Sequence, residues 1–536
     1  MIRFLSPWRG LAFGISLLTV VPLLVMLCSL LAPDWEVWRH LYDYTLPELL
    51  LNTLYLIGGV GAGVLLLGVP LAWLTAVHDF PGRRFFHWAL MLPLAMPAYV
   101  LAFSQLGLFD FTGPLQSWLR ERFGDSSWVP NIRSTPGVIL VMSLAFYPYV
   151  YLLARNAFAS MGRRALEVGQ SLGLSRWQGF RRVALPMARP WIAGGLMLAL
   201  METLADFGTV AIFNFDAFTS AIYKAWFSLF SLPVAKQLAS LLVLMVLLLL
   251  WLEQRSRGRR AYTQAGKAAP LPRLRLDGAA GWLAASACAL VLTLAFALPF
   301  GQLLVWAGAH LAEDLDADFL GHVANSLLLA LLAAGLVALT ALLLSYAARR
   351  EPSRWTRLWS RLATLGYAVP GTVLAVGVFV PIAWLDNRLL DWLRPWLAPD
   401  ASAVIKGTLL VLMLAYVARF LAVGHSAVDT AMHRISRSQE EAARNMGYSG
   451  LRLLARLHLP LLRGGLFTAV LMVFVDVMKE MPITLMTRPY GWDTLAVRIF
   501  NLTTEGEWER AALPAVAIVL AGLLPVWVLS RQKDAV

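Results

Sequence analysis

Residues 440–460 read EEAARNMGYSGLRLLARLHLP, and residues 166–186 read LEVGQSLGLSRWQGFRRVALP. Set against each other, the two stretches place Glu167 on Glu441, Gly173 on Gly447 and Pro186 on Pro460, each pair 274 positions apart. Upstream, NTLYL at 52 matches NSLLL at 325, and AMPAYVLAF at 95 matches AVPGTVLAV at 368, both at an offset of 273. The chain is an internal duplication, and each copy carries one charged, helix-forming outcrop between long apolar runs.

Those runs set the solvent. Of 536 residues, 59% are hydrophobic and 14% charged, and the mean hydropathy of +0.65 is that of a polytopic membrane protein. Cys28 and Cys288 both lie in apolar runs, which supports neither a disulfide framework nor a thiolate metal cluster. LAFGISLLTVVPLLVMLCSLLA, after Arg3 and Arg9, has the length of a spanning helix and no small-residue cleavage pattern, so it reads as a retained first span. Apolar stretches of spanning length then number about twelve. They fall near 11–31, 51–77, 88–108, 136–154, 191–213 and 235–252, and near 279–305, 324–347, 362–385, 403–424, 465–487 and 510–530. Six spans per half give both halves the same orientation, a parallel duplication about an axis along the membrane normal.

Charge orients the chain. With both termini inside, the inner loops collect Arg83/Arg84, Arg163/Arg164, Arg181/Arg182, RSRGRR at 255–260 and Arg349/Arg350, while the outer loops hold EDLDAD at 313–318 and EGE at 505–507. This is the positive-inside pattern, and it puts both outcrops in the cytoplasm. The net charge of +13 is then a topology signal, and no nucleic-acid partner is expected. Residues 254–278, EQRSRGRRAYTQAGKAAPLPRLRLD, form a basic, proline-containing linker between units at 1–253 and 279–536.

Each outcrop can make a peg. A short helix beginning at Glu167 or Glu441 puts the carboxylate near a helix N-terminus, where the dipole favours it. Gly173 or Gly447 turns the chain, and Pro186 or Pro460 opens the next membrane helix at a position where a missing N–H costs little. An amphipathic loop lying on the membrane surface is the alternative.

The pattern E-A-A, three residues, Gly, nine residues, an apolar residue, any residue, Leu-Pro resembles the coupling signature of the permease subunits of type I ABC importers. The second copy fits throughout, with Glu441, Ala442, Ala443, Gly447, Leu457, Leu459 and Pro460; the first has Val168 and Gly169 after Glu167 but keeps Gly173, Val183, Leu185 and Pro186. The resemblance implies an all-α polytopic protein of about twelve transmembrane helices, two tandem six-helix permease units with coupling loops at about 156–190 and 425–464. It also implies a bacterial inner-membrane location and two kinds of partner: ABC ATPase subunits, in two copies, and a periplasmic or extracellular substrate-binding protein. No G-x-x-x-x-G-K-[ST] loop occurs, and the glycines of GGVGAG at 58–63 have no following Lys. The chain is thus expected to be no enzyme and to bind no cofactor, with ATP used by the partner.

Two further stretches repeat at 274: ETLADFGTVAIF at 202–213 and DVMKEMPITLMT at 476–487. Glu202 with Asp206, and Asp476 with Glu480, stand four apart and so on one helix face. Carboxylates at membrane depth are costly and line an interior path or meet a partner; four together favour a hard cation. Alternatively Lys479 neutralises one of them, or the groups sit near the outer interface and hold the halves together. The fused format and ETLADFGT resemble the ferric-iron importers; thiamine permeases, also fused, and polyamine, phosphonate and sulfate permeases, which share the general pattern, are the alternatives. A twelve-span secondary transporter driven through the same carboxylates is the rival class, and the duplicated peg argues against it.

Overall fold

The computed structural model describes residues 6–31, 33, 35–126, 128–171, 173–257, 273–396 and 403–531. Among these, ten helices are long and apolar enough to cross a membrane. They are α1 (Pro7–Ser29), α2 (Leu46–Val77), α4 (Thr135–Ser171), α5 (Arg176–Ala205), α6 (Leu232–Arg257), α7 (Gly278–Asp314), α8 (Ala317–Arg350), α10 (Gly371–Trp396), α11 (Leu409–His433) and α13 (Gly450–Met478). The expected third span is a broken pair, Arg83–Ala95 and Ala98–Phe123, bent by 95°, of which Ala98–Phe109 is α3. The last is α14 (Ala512–Arg531). Short connecting helices include α9 (Arg354–Ala363) and α12 (Arg437–Asn445).

The breaks at Met96–Pro97 and Val369–Pro370 have a common cause. Met96 and Val369 each precede a proline and are extended, at ψ 120° and 133°, because the following ring disfavours helical geometry.

Packing follows the logic of a lipid solvent. On α8, Ala330, Ala333, Ala334, Val337 and Ala341 are fully buried, while Leu327, Leu328, Leu331, Leu332 and Leu339 are exposed. Small residues let helix backbones approach closely, and lipid tails accept the leucines at no cost. Hydropathy finds such a helix but does not say which of its faces meets protein.

Two compact units result, and they divide the chain differently from the sequence repeat. One comprises Met1–His40, Ala221–Val243 and Leu315–Phe500; the other comprises Leu41–Ser220, Leu244–Asp314 and Asn501–Val536. In the first, α8, α11 and α13 pack together and α1 lies on α8, α9 and α10. In the second, α4 is packed between α2 and α5, and α7 meets α3 and α14. Each unit thus draws flanking helices from the other half of the sequence. Residues 258–272 of the basic linker lie outside the described residues; its far end, Leu274–Arg275, pairs in parallel with His78–Asp79 at the end of α2.

Candidate functional site

The second outcrop is a capped helix and a turn. Ser436 accepts a hydrogen bond from the Gln439 N–H and the Gln439 side chain accepts from the Ser436 N–H, so α12 begins at Arg437, four residues before Glu441. The helix ends in a Schellman turn: the Tyr448 N–H donates to the Ala443 carbonyl at 3.1 Å, and Gly447 takes φ +83°, a left-handed conformation that L side chains resist. Glu441, Ala442 and Gly447 are exposed and Ala443 is buried, which leaves a small, acidic outer face flanked by the exposed Met446 and Leu451.

The first outcrop differs from the expected short helix. Glu167 sits in the last turns of α4, a single helix from Thr135 to Ser171, because nothing in MGRRALEVGQS caps or breaks it. Its carboxylate is exposed near a helix C-terminus, where the dipole does not favour it. Gly173 then turns the chain at φ +78°, with the Leu174 N–H donating to the Gly169 carbonyl at 2.9 Å. Gly169 replaces the motif's second alanine where a Cβ would stand 3.3 Å from the Gly179 Cα, so this departure serves close packing of α4 on the start of α5.

The Leu-Pro pairs do not open the membrane helices either. Ser175 caps α5 with a capping box to Gln178, and α13 begins at Gly450, so Leu185–Pro186 and Leu459–Pro460 are interior. A π turn precedes each, at Phe180–Ala184 and Leu454–His458, and a third, Thr293–Ala297, precedes Leu298–Pro299 in α7. Proline lacks an N–H and its ring collides with the carbonyl four residues back; widening the preceding turn relieves both.

The two pegs are anchored by different chemistry. Glu440, next to the motif and buried, takes a hydrogen bond from Arg349 Nε at 2.8 Å and lies 3.1 Å from His458 Nε2, with Arg444 3.6 Å away. Arg349 also donates to the Ile435 carbonyl at 2.7 Å, and the Tyr346 hydroxyl donates to the Gly450 carbonyl at 2.9 Å. One carboxylate thereby ties α12 to the end of α8 and to the π turn of α13. At the equivalent positions of the first copy stand Leu166, Ala76 and Ala184, and Trp73 replaces Tyr346. There Trp73 packs tilted against Phe180 (4.6 Å between centroids) and edge-on against Phe158 (5.1 Å). Sequence reading missed Glu440, Arg349 and His458; the capping pattern S-x-x-Q at 436–439 and the charged-for-apolar exchange between copies were the signals that could have found them.

The four inner carboxylates are placed at two helix breaks rather than along continuous faces. α5 ends at Ala205 and α13 at Met478, so Glu202 and Asp476 are helical while Asp206 and Glu480 lie beyond the ends. Asp206 accepts from the Thr209 N–H at 2.9 Å and the Thr209 hydroxyl at 3.0 Å, and Glu480, its repeat equivalent, accepts from the Ile483 N–H at 3.0 Å. Glu480 also pairs with Arg419 Nε at 3.3 Å, and Asp476 pairs with Lys479 at 2.9 Å. Within its own unit each acidic break residue is therefore a cap for the short helix that follows. Among the described residues no group of three or more His, Cys, Asp or Glu side chains gathers as a metal site.

A model of the family described as the binding-protein-dependent transport system inner membrane component matches residues 68–259 and 340–532. The chain belongs to this family. The permease carries the family's unit twice in one polypeptide, with the second match following the first at the spacing of the internal repeat. It is similar to the Fe(3+)-transport system permease protein FbpB 2 of Haemophilus influenzae, 27% identical over 496 residues that cover 92% of this chain and 91% of the relative. It is 24% identical to the ferric transport system permease protein FbpB of Actinobacillus pleuropneumoniae over 91% of this chain and 72% of the relative. The sulfate transport system permease protein CysT of Escherichia coli is 26% identical over 46% of this chain and 92% of its own length, the length of a single unit. The permease is a multi-pass inner-membrane component of a transport system, and its relatives are permease subunits rather than enzymes.

Proposed function

We propose that this permease is the membrane path of an ATP-driven importer of ferric iron, working with two ABC ATPase subunits and one external binding protein. The observation that carries the transport mechanism is the peg made twice from Gly173–Pro186 and Gly447–Pro460, each a left-handed glycine turn followed by a π turn and Leu-Pro. An ion-driven transporter has no partner for such pegs. Ferric iron is favoured because the two-unit relatives that run nearly the full length of this chain are named as ferric permeases, whereas sulfate and molybdenum relatives match at the length of one unit or less. Thiamine and polyamines remain the alternative cargoes of the same machine.

In this reading both termini and both pegs face the cytoplasm, as the positive-inside pattern supports. Glu441 and Ala442 enter a cleft on one ATPase; Glu167 serves the other. ATP-driven closure of the ATPases displaces the pegs, and because Glu440 ties α12 to α8 and α13, the second peg moves with the base of its unit. Asp206 and Glu480 hold the broken helices in shape, and any contact with the cation occurs through Glu202 and Asp476 or through backbone freed at the breaks.

Replacing Glu441→Arg together with Gly447→Val tests the coupling assignment. Membrane insertion should persist while ATPase capture on purification and substrate uptake are lost; normal transport in the double variant would refute it.

A further inference from the structure

Helix α9, RWTRLWSRLA, follows the spanning helix α8 after three residues and precedes the spanning helix α10, so it lies at a membrane surface. Ser353 caps it through the Thr356 N–H at 3.1 Å. One face is inward: Thr356 and Ala363 are fully buried, and Trp359 meets Phe13 of α1 edge-on at 4.9 Å. The opposite stripe, at i, i+3, i+4 and i+7, is Arg354, Arg357, Leu358 and Arg361, all exposed. With Trp355 these residues line a concavity of about 510 Å³. Among the described residues no carboxylate pairs with any of the three guanidinium groups; Arg354 lies 5.4 Å from the Trp355 ring.

Three unneutralised arginines cannot face hydrocarbon, and interleaved with Leu358 and Trp355 they do not make a simple water-facing surface. The headgroup layer satisfies both. Guanidinium forks match phosphate oxygens, tryptophan favours that depth, and an anionic leaflet attracts basic side chains held at its surface. The repeat supplies an internal comparison. At an offset of 273, Arg354, Arg357 and Arg361 fall on Pro81, Arg84 and Trp88, so the first copy keeps one of the three. The place in the molecule is also fixed: Arg349, five residues before Arg354, is the residue that holds Glu440, which puts α9 on the end that carries the second peg.

We propose that α9 binds the phosphate headgroup of an anionic phospholipid in the leaflet on the peg side of the membrane. Occupancy would brace the corner between α8 and α9 from which the second peg is held. The proposal rests on the chain being a membrane permease and not on what it imports or which ATPase it meets.

The test uses the full-length permease in nanodiscs of phosphatidylcholine alone or mixed with phosphatidylglycerol, with lipids retained after extraction counted by native mass spectrometry. The R354Q/R357Q/R361Q variant should retain severalfold less phosphatidylglycerol and lose the thermal stabilisation that this lipid gives, while R84Q in the first copy behaves as wild type. The Lys-for-Arg triple variant, and wild type at rising salt, give the same reading if the Gln variant does not fold: Lys should keep much of the retention and salt should reduce it. Unchanged phosphatidylglycerol retention in the Gln variant, or retention insensitive to salt, would overturn the proposal. So would displacement of the lipid by inorganic phosphate at equal concentration, which would mark a soluble-anion site, or loss of ATPase capture with lipid retention intact, which would mark a protein contact.

Discussion

Glu440 shows how a single position separates two otherwise repeated loops. Burial pushes its carboxyl up, but the hydrogen bonds and charges of Arg349 and His458 outweigh burial and hold it below the usual glutamate value of 4.5. A group whose pKa is depressed by folding contributes stability above its unfolded pKa and loses it as pH falls through the folded one. The second loop, 436–460, should therefore stay protected from hydrogen exchange through the ordinary glutamate range and open only at lower pH, whereas opening above pH 4.5 would contradict the ion cluster. Glu440→Ala removes the counter-charge of the half-buried Arg349, which among the described residues keeps only the Ile435 carbonyl, and should cost about 2 kcal/mol, read as faster exchange in 436–460 with 166–186 unaffected. The break residues give a second contrast. Asp206→Asn keeps an acceptor for Thr209 and should be mild; Glu480→Gln leaves Arg419 without its counter-charge and should lower the melting temperature clearly more. Equal stability of the two variants with uptake abolished in both would instead mark them as pathway residues. The sequence repeat exposes Glu441, Gly447 and Pro460 because they recur. It hides Glu440, because it recurs as Leu166 and its partners Arg349 and His458 as Ala76 and Ala184, and Arg349 merges into an arginine pair that topology already explains.

At the scale of the element, the π turns are the feature least visible beforehand. Leu-Pro at 185–186, 298–299 and 459–460 each follow one; Pro22, Pro70, Pro148 and Pro381 sit inside helices without one, so at these three places the wide turn meets a local need for room between the proline ring and the carbonyl four residues back. Pro460→Ala removes that need and lets the turn revert to α geometry, rotating everything before it by about 100°. The variant should be as heat-stable as wild type yet lose ATPase stimulation by substrate; retained stimulation would show the wide turn to be passive. Gly447→Ala, at φ +83°, should cost about 1–2 kcal/mol and fray the end of α12. Helix starts were legible in principle from the capping boxes, Ser436–Gln439 ahead of Glu441 and Ser175–Gln178 ahead of Pro186, since S-x-x-Q is itself a start signal. The long run of α4 through Glu167 was not, because an uncapped, unbroken helix leaves no mark at the point where it leaves the membrane.

For the whole molecule, the number of spans and their duplication follow from hydropathy and offset alone. Which helices share a unit does not, because a lipid-facing leucine and a protein-facing one contribute alike to hydropathy. The compact units cross the midpoint of the chain: the unit built on Leu41–Ser220 also uses Leu244–Asp314 and Asn501–Val536. Residues 1–253 expressed alone should accordingly be unstable in detergent, and co-expression with 279–536 should restore a stable pair; a stable, monodisperse first half would contradict this interleaving. The measurement that reaches the central claim most directly is uptake of radiolabelled Fe(III) in cells with and without this permease, with thiamine and putrescine uptake followed in parallel. Selective, ATP-dependent loss of iron uptake on deletion is the predicted result, and iron uptake that persists while another solute's is lost would contradict the ferric assignment and leave the import machine to a different cargo.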